Sequence, residues 1–185
     1  MRKRQTKRTP FSEYLFLKSK GLITSPTDEE LAQLERPLKL CGRYTPSTLN
    51  ILTMGELADL IEQPDNPVAI ITTITGCSEA ELMQEPYERV VGFINFVTSE
   101  SHRIAELFNQ LEINHTPEEL QAGVKDLNFG IFGTIDWYAR RMGITDHDEV
   151  MKVRWIRIWQ CAMNDSQQAD YEKRYRDIIN RGGNK

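Results

Sequence analysis

The residues of this chain whose types can do chemistry are three histidines, three cysteines, a glycine-bearing run and two aromatic-basic segments. His147 sits in the turn Asp146-His147-Asp148-Glu149, which has the composition of a metal site. Neighbours from i to i+3 on a helix do not converge as a tetrahedral set. Acids there also suit a first helical turn, where they oppose the dipole. His102 lies on a long helical stripe, and His115 just before a capping threonine. Cys41, Cys77 and Cys161 are odd in number and far apart, with neither metal-type spacing nor a recognisable nucleophile motif. That usage suits a reducing cytoplasm. Phe129-Gly130-Ile131-Phe132-Gly133 lacks the following Lys-Ser/Thr of a phosphate loop. It reads instead as glycine on a helix face, where a cost of about 1 kcal/mol against alanine is offset by close approach of another helix. These readings predict no catalytic residue, no cofactor and no metal.

The segments Trp137-Tyr138-Ala139-Arg140-Arg141 and Arg154-Trp155-Ile156-Arg157-Ile158-Trp159 have the stacking-plus-charge composition of a single-strand nucleic-acid site. Trp155 and Trp159 are spaced i, i+4 and align with Ile158 and Ala162, which predicts core, with Arg154 and Arg157 outside. The surface candidates for a protein partner are Tyr138, Arg140, Arg141, Arg154, Arg157, Tyr171, Arg174 and Tyr175, because aromatic residues and arginines mix in interface hot spots. A second candidate is the basic arm Arg2, Lys3, Arg4, Lys7 and Arg8, read either as a solvated tail or as a contact for nucleic acid or an acidic protein. Charge is laid out unevenly: +6 over residues 1–20, −13 over 21–136 and +3 over 137–185.

The elements that must position these residues are helices. Thr27-Asp28-Glu29-Glu30, Thr53-Met54-Gly55-Glu56, Ser78-Glu79-Ala80-Glu81 and Thr116-Pro117-Glu118-Glu119 each place Ser or Thr three residues before Glu. That spacing is the capping box, in which hydroxyl and carboxylate each satisfy a backbone N–H of the first turn. Helices are expected over 28–35, 53–63, 67–75, from Ser78 to before Pro86, over 87–112, after Thr116, from Asn128 to Gly143, from Thr145 or Asp146 through Met163, and from Asp165 or Ser166 to Gly182. A short helix or docking peptide is expected at Phe11, Tyr14, Leu15 and Leu17. A brief strand is possible at Leu38, Leu40 and Tyr44. Residues 67–75 are apolar on nearly all sides and read as the buried centre: Val68, Ile70, Ile71 and Ile74, with Ile94 and Val97. The expectation is an all-α, compact multi-helix bundle. Residues 1–10 form a flexible basic arm, and 11–185 one helical domain with a candidate subdivision near residue 126. No apolar run approaches the roughly 20 residues of a membrane span, and no secretory leader is expected.

Specific residues carry a resemblance. Leu52-Thr53-Met54-Gly55-Glu56-Leu57 is similar to a Leu-Thr-x-Gly-x-Leu opening. Ile74-Thr75-Gly76-Cys77-Ser78 with Glu81-Leu82 is similar to the step that follows it. Phe93-Ile94-Asn95-Phe96 comes next in the same order, and Asp136-Trp137-Tyr138-Ala139 with Tyr171-Glu172-Lys173-Arg174-Tyr175 looks like a C-terminal extension. Over roughly residues 38–180 the chain resembles the tail assembly chaperones of long-tailed bacteriophages. That resemblance implies a non-enzymatic helical protein of the host cytoplasm. It would escort the tape-measure protein, help recruit tail-tube subunits and leave before the virion is finished, with a homo-oligomer and a frameshifted longer form both open. Residues 1–37 have no counterpart in the family. A structural virion component, such as a head-tail connector or cargo protein, is therefore the alternative, and a nucleic-acid-binding regulator the third.

Overall fold

The computed structural model describes residues 9–22, 27–62, 66–111, 117–127 and 129–182. The fold is all-helical. Its helices are α1 (Phe11–Ser19), α2 (Asp28–Ala32), α3 (Met54–Glu62), α4 (Pro67–Thr75), α5 (Glu79–Gln84), α6 (Tyr87–Asn109), α7 (Pro117–Gln121), α8 (Gly130–Met142), α9 (His147–Met151) and α10 (Trp155–Gly182). The only ladder among the described residues is the hairpin of β1 (Lys39–Leu40) and β2 (Arg43–Tyr44), paired Lys39 to Tyr44 and Leu40 to Arg43. By backbone contacts the chain divides into two compact units, residues 1–49 with 59–102 and residues 50–58 with 103–185.

Three of the four capping boxes form. Thr27 with Glu30 and Ser78 with Glu81 exchange both hydrogen bonds. Thr53 N–H donates to Glu56 at 2.8 Å while its hydroxyl accepts from Glu56 N–H at 3.2 Å. The fourth box begins at Thr116, outside the described residues. Asn66 accepts from Ala69 N–H at the start of α4, Pro67 occupies its first turn, and Gly76 ends it at φ 68, the left-handed geometry glycine favours.

In the first unit, Phe11 and Tyr14 of α1 are buried, and the Tyr14 ring stacks on Tyr87 at 4.7 Å. Phe11 N–H donates to Glu85 O, and Tyr87 N–H donates to Thr9 O. Thr9 and Pro10 are thus tied to the body, whereas residues 1–8 lie outside the described residues. α2 stops at Ala32 rather than Glu35 for a tertiary reason. The Asn95 side-chain amide on α6 donates to Leu31 O at 2.8 Å and Leu34 O at 3.2 Å, taking carbonyls that further helix would use. The chain crosses α6 there so closely that a Cβ on Gly92 would overlap the Glu35 carbonyl.

α4 is not the buried centre expected of it. Ile71 and Val97 are buried, but Val68, Ile70, Ile74 and Ile94 are only half-buried. A nine-residue helix buries only the side its neighbours meet, however apolar the rest. Its Thr72 and Thr75 hydroxyls donate to their own helix's carbonyls at 2.8 and 2.7 Å, which lets them share the outer side.

The second unit closes on backbone pairing that helix periodicity does not reveal. Met54 N–H donates to Val153 O at 2.7 Å, and Trp155 N–H to Leu52 O at 3.2 Å. This pairing breaks the helix expected from residue 146 to 163 into α9 and α10. The second expected break, at Asp165 or Ser166, is absent. No Gly or Pro interrupts residues 155–181, so α10 runs unbroken through 28 residues, about 42 Å at 1.5 Å per residue. Its first turns seal a core of Trp155 and Ile158 with Met54, Leu57, Ile104, Ile135, Tyr138 and Val150.

Candidate partner-binding surface

The structure sorts the eight surface candidates into three groups. Tyr138 is 1% exposed. This corrects its place among surface residues: it lies one position from Ala139, on the face of α8 that packs inward. Arg140 pairs with Asp136 on its own helix. Asp136 also lies 3.4 Å from His147 Nε2, whose ring meets Phe132 edge-on at 5.2 Å. Arg141 grips Asp165 with two bonds of 2.9 and 3.0 Å, joining α8 to α10. That fork satisfies both groups. Arg154 and Arg157 are exposed at the start of α10, as their spacing predicts, while Trp155 is buried. Trp159 is half-buried and donates its indole N–H to Leu107 O at 2.8 Å. Trp155 offers no free face for stacking bases.

Tyr171, Arg174 and Tyr175 form the third group, on the last turns of α10. From Gln167 to Arg181 nearly every side chain is exposed. Tyr171 and Tyr175 stack at 6.1 Å and 14°, yet each leaves more than half its surface in solvent, and Ile178 and Ile179 are 69% and 53% exposed. Positions 171, 175 and 178 fall at i, i+4 and i+7, one stripe of a helix. Arg174, Arg176 and Arg181 flank it. Ile178 and Ile179 belong to this surface and were not among the eight candidates. Their helical spacing from Tyr171 and Tyr175 puts them on the same exposed stretch, residues 171–179.

The remaining candidates have local roles or lie outside the described residues. Asp146 caps α9 by accepting from Asp148 N–H at 2.9 Å, the role its place in a first turn predicts. Among the described residues no three His, Cys, Asp or Glu side chains converge to hold a metal. His102 is exposed on α6. His115 and the basic arm Arg2, Lys3, Arg4, Lys7 and Arg8 lie outside the described residues. Gly130 and Gly133 do not admit a neighbouring helix. Gly130 starts α8 at φ 53, where a Cβ would meet no described atom within 4 Å, and a Cβ on Gly133 would overlap the Cβ of Phe129 one turn earlier. Phe129 and Phe132 are left 69% and 57% exposed. No described helix is long and apolar enough to cross a membrane.

Sequence reasoning missed one polar cluster in the first unit. The Arg43 guanidinium pairs with Glu81 at 3.2 Å. Hydrogen bonds from Ser78 N–H, then from Arg43, hold the Glu81 carboxyl below the usual carboxylate range. Cys41 N–H donates to Glu85 at 2.9 Å, and the Cys77 thiol donates to Leu40 O at 3.7 Å. Residues 38 positions apart in sequence carry no local signal that they meet. Comparison of the chain with protein-family models, curated proteins and solved structures finds no match.

Proposed function

We propose that this protein is a non-enzymatic binding protein that docks another polypeptide on the C-terminal turns of α10. Its partner by resemblance is the tape-measure protein of a long-tailed phage, in the manner of a tail assembly chaperone. The observation that carries the reading is the bare stripe Tyr171, Tyr175, Ile178 and Ile179 on a helix whose first turns are sealed into a core. Large apolar side chains in register on an exposed helix face are the form in which helices dock into a partner's groove. Aromatic residues flanked by arginines are the composition of binding hot spots. The ordered motifs from Leu52 to Tyr175 support the phage assignment.

The test is co-expression of the tape-measure protein with the full chain and with a Y171S/Y175S/I178S variant. The reading expects soluble, co-purifying tape-measure protein with the first and loss of both properties with the second. Equal insolubility in both cases, with this chain found stoichiometrically in mature particles, would replace the chaperone by a structural virion component.

A further inference from the structure

We propose that Cys41 and Cys77 are a redox modification site, a dithiol that closes to an intramolecular disulfide between the β1–β2 turn and the loop after α4. Three features of the first unit converge on it. Cys41 and Gly42 form the two-residue turn at φ 49 and 75. Such a turn favours Asn-Gly or Gly-Gly, so a cysteine with positive φ is an unusual occupant. The turn is held in place by Glu85, which accepts from Cys41 N–H at 2.9 Å. Cys77, buried just past the left-handed Gly76, aims its thiol at the carbonyl of Leu40, the residue joined to Cys41. Its 3.7 Å reach to that carbonyl seats the Cys77 sulfur beside the Cys41–Gly42 turn. Cys161 belongs to the second unit and supplies an internal control.

The groups facing the pair set its reactivity. Burial, the Cys77 thiol, then the carboxylates Glu85 and Glu81 push the Cys41 thiol up to about 12. Arg43, paired with Glu81, also donates to Cys41 O at 3.4 Å. A thiol so raised holds little thiolate at neutral pH and reacts slowly. Equally, no stabilised thiolate favours reopening once the bond is made. Low-pKa dithiols are strong oxidants because their reduced form is stabilised, and the raised Cys41 thiol has the opposite arrangement. The oxidant class is a peroxide. The half-buried Cys41 sulfur attacks the O–O bond, giving a sulfenic acid and one water. The Cys77 sulfur then displaces the hydroxyl, forming S–S and releasing the second water. Two thiols lose two hydrogens in total, and the peroxide takes both electrons.

The experiment treats the full chain with hydrogen peroxide, blocks residual thiols with N-ethylmaleimide and maps peptides without reduction. The expected result is one linked peptide pair, Cys41 to Cys77, in a monomer 2 Da lighter, with Cys161 unlinked. The rate should rise with pH between 7 and 9, because the thiolate of the raised Cys41 thiol is the attacking form. The linkage should vanish in Cys41→Ser and Cys77→Ser. Sulfinic or sulfonic acid at Cys41 with no link to Cys77, or a link from either residue to Cys161, would overturn the assignment. The wild-type peptide map decides the matter even if a serine variant fails to fold.

Discussion

The two halves of α10 are one helix with opposite fates. Trp155 and Ile158 at its start are fully buried. Trp155 lies against the Phe108 ring at 6.0 Å, and its backbone is paired to Leu52. Tyr171, Tyr175 and Ile178 at its end keep the same helical spacing and equally large side chains, yet stand mostly in solvent. Periodicity is a property of the helix, whereas burial requires a second surface. The difference teaches that an apolar stripe marks a surface prepared for contact, and only the tertiary partner decides whether the contact is internal. α4 shows the same contrast in nine residues, with Ile71 buried and Ile74 half-buried.

The contrast can be broken or sharpened by substitution. Trp155→Ala should produce the largest effect, a loss of about 3–5 kcal/mol, as for other buried large-to-small aromatic changes. Chemical denaturation checks it, and a loss near zero would mean that the core half of α10 is no core. Within α4, Ile71→Ala should cost about 2–5 kcal/mol, against about 1 kcal/mol for Ile74→Ala, near the centre of ordinary substitutions. Equal losses from the two would return α4 to the buried centre its composition suggests.

At the bare end of α10, Tyr171→Ser with Tyr175→Ser should change folding stability by only about 0.5 kcal/mol. Binding of the tape-measure protein should fall by at least about 2 kcal/mol, roughly thirtyfold, the mark of a hot spot. A drop in melting temperature matching that of Trp155→Ala would show the stripe to be internal after all.

The smallest effect is expected at Glu81. Its folded-state carboxyl is held low, first by Ser78 N–H and then by Arg43. Its stabilising contribution is therefore present above the usual carboxylate range. It is lost as pH falls through the lowered folded value. Glu81→Gln should flatten the acid limb of the stability profile slightly and leave stability above pH 6 little affected beyond the loss of an exposed pair. An unchanged acid limb would show that the Ser78–Glu81–Arg43 arrangement is not populated in solution.

Much of the helical pattern was legible because capping and termination are local. Thr27, Thr53 and Ser78 with their glutamates, Asn66-Pro67 before α4, and Gly76 and Gly143 after α4 and α8 act within four residues of themselves. The misplaced boundaries have the opposite character. Asn95 caps α2 from more than 60 positions away, and Leu52 and Met54 split α9 from α10 across about 100. The candidate surface was half legible. Tyr171, Arg174 and Tyr175 are where their composition suggests, while Tyr138 is core, because an aromatic beside arginines has the same local signature on either face of a helix.

By itself the sequence determined that this is an all-helical protein, where most helices begin and end, and that Trp155 faces inward while Arg154 and Arg157 do not. Each rests on hydrogen bonds and spacings a few residues long. Tertiary structure alone decided which apolar stripes are covered, where backbone pairing interrupts a helix, and that Cys41, Cys77, Arg43 and Glu85 share one cluster. These depend on surfaces brought together over tens of residues, and a stripe on one helix carries no record of what lies opposite it.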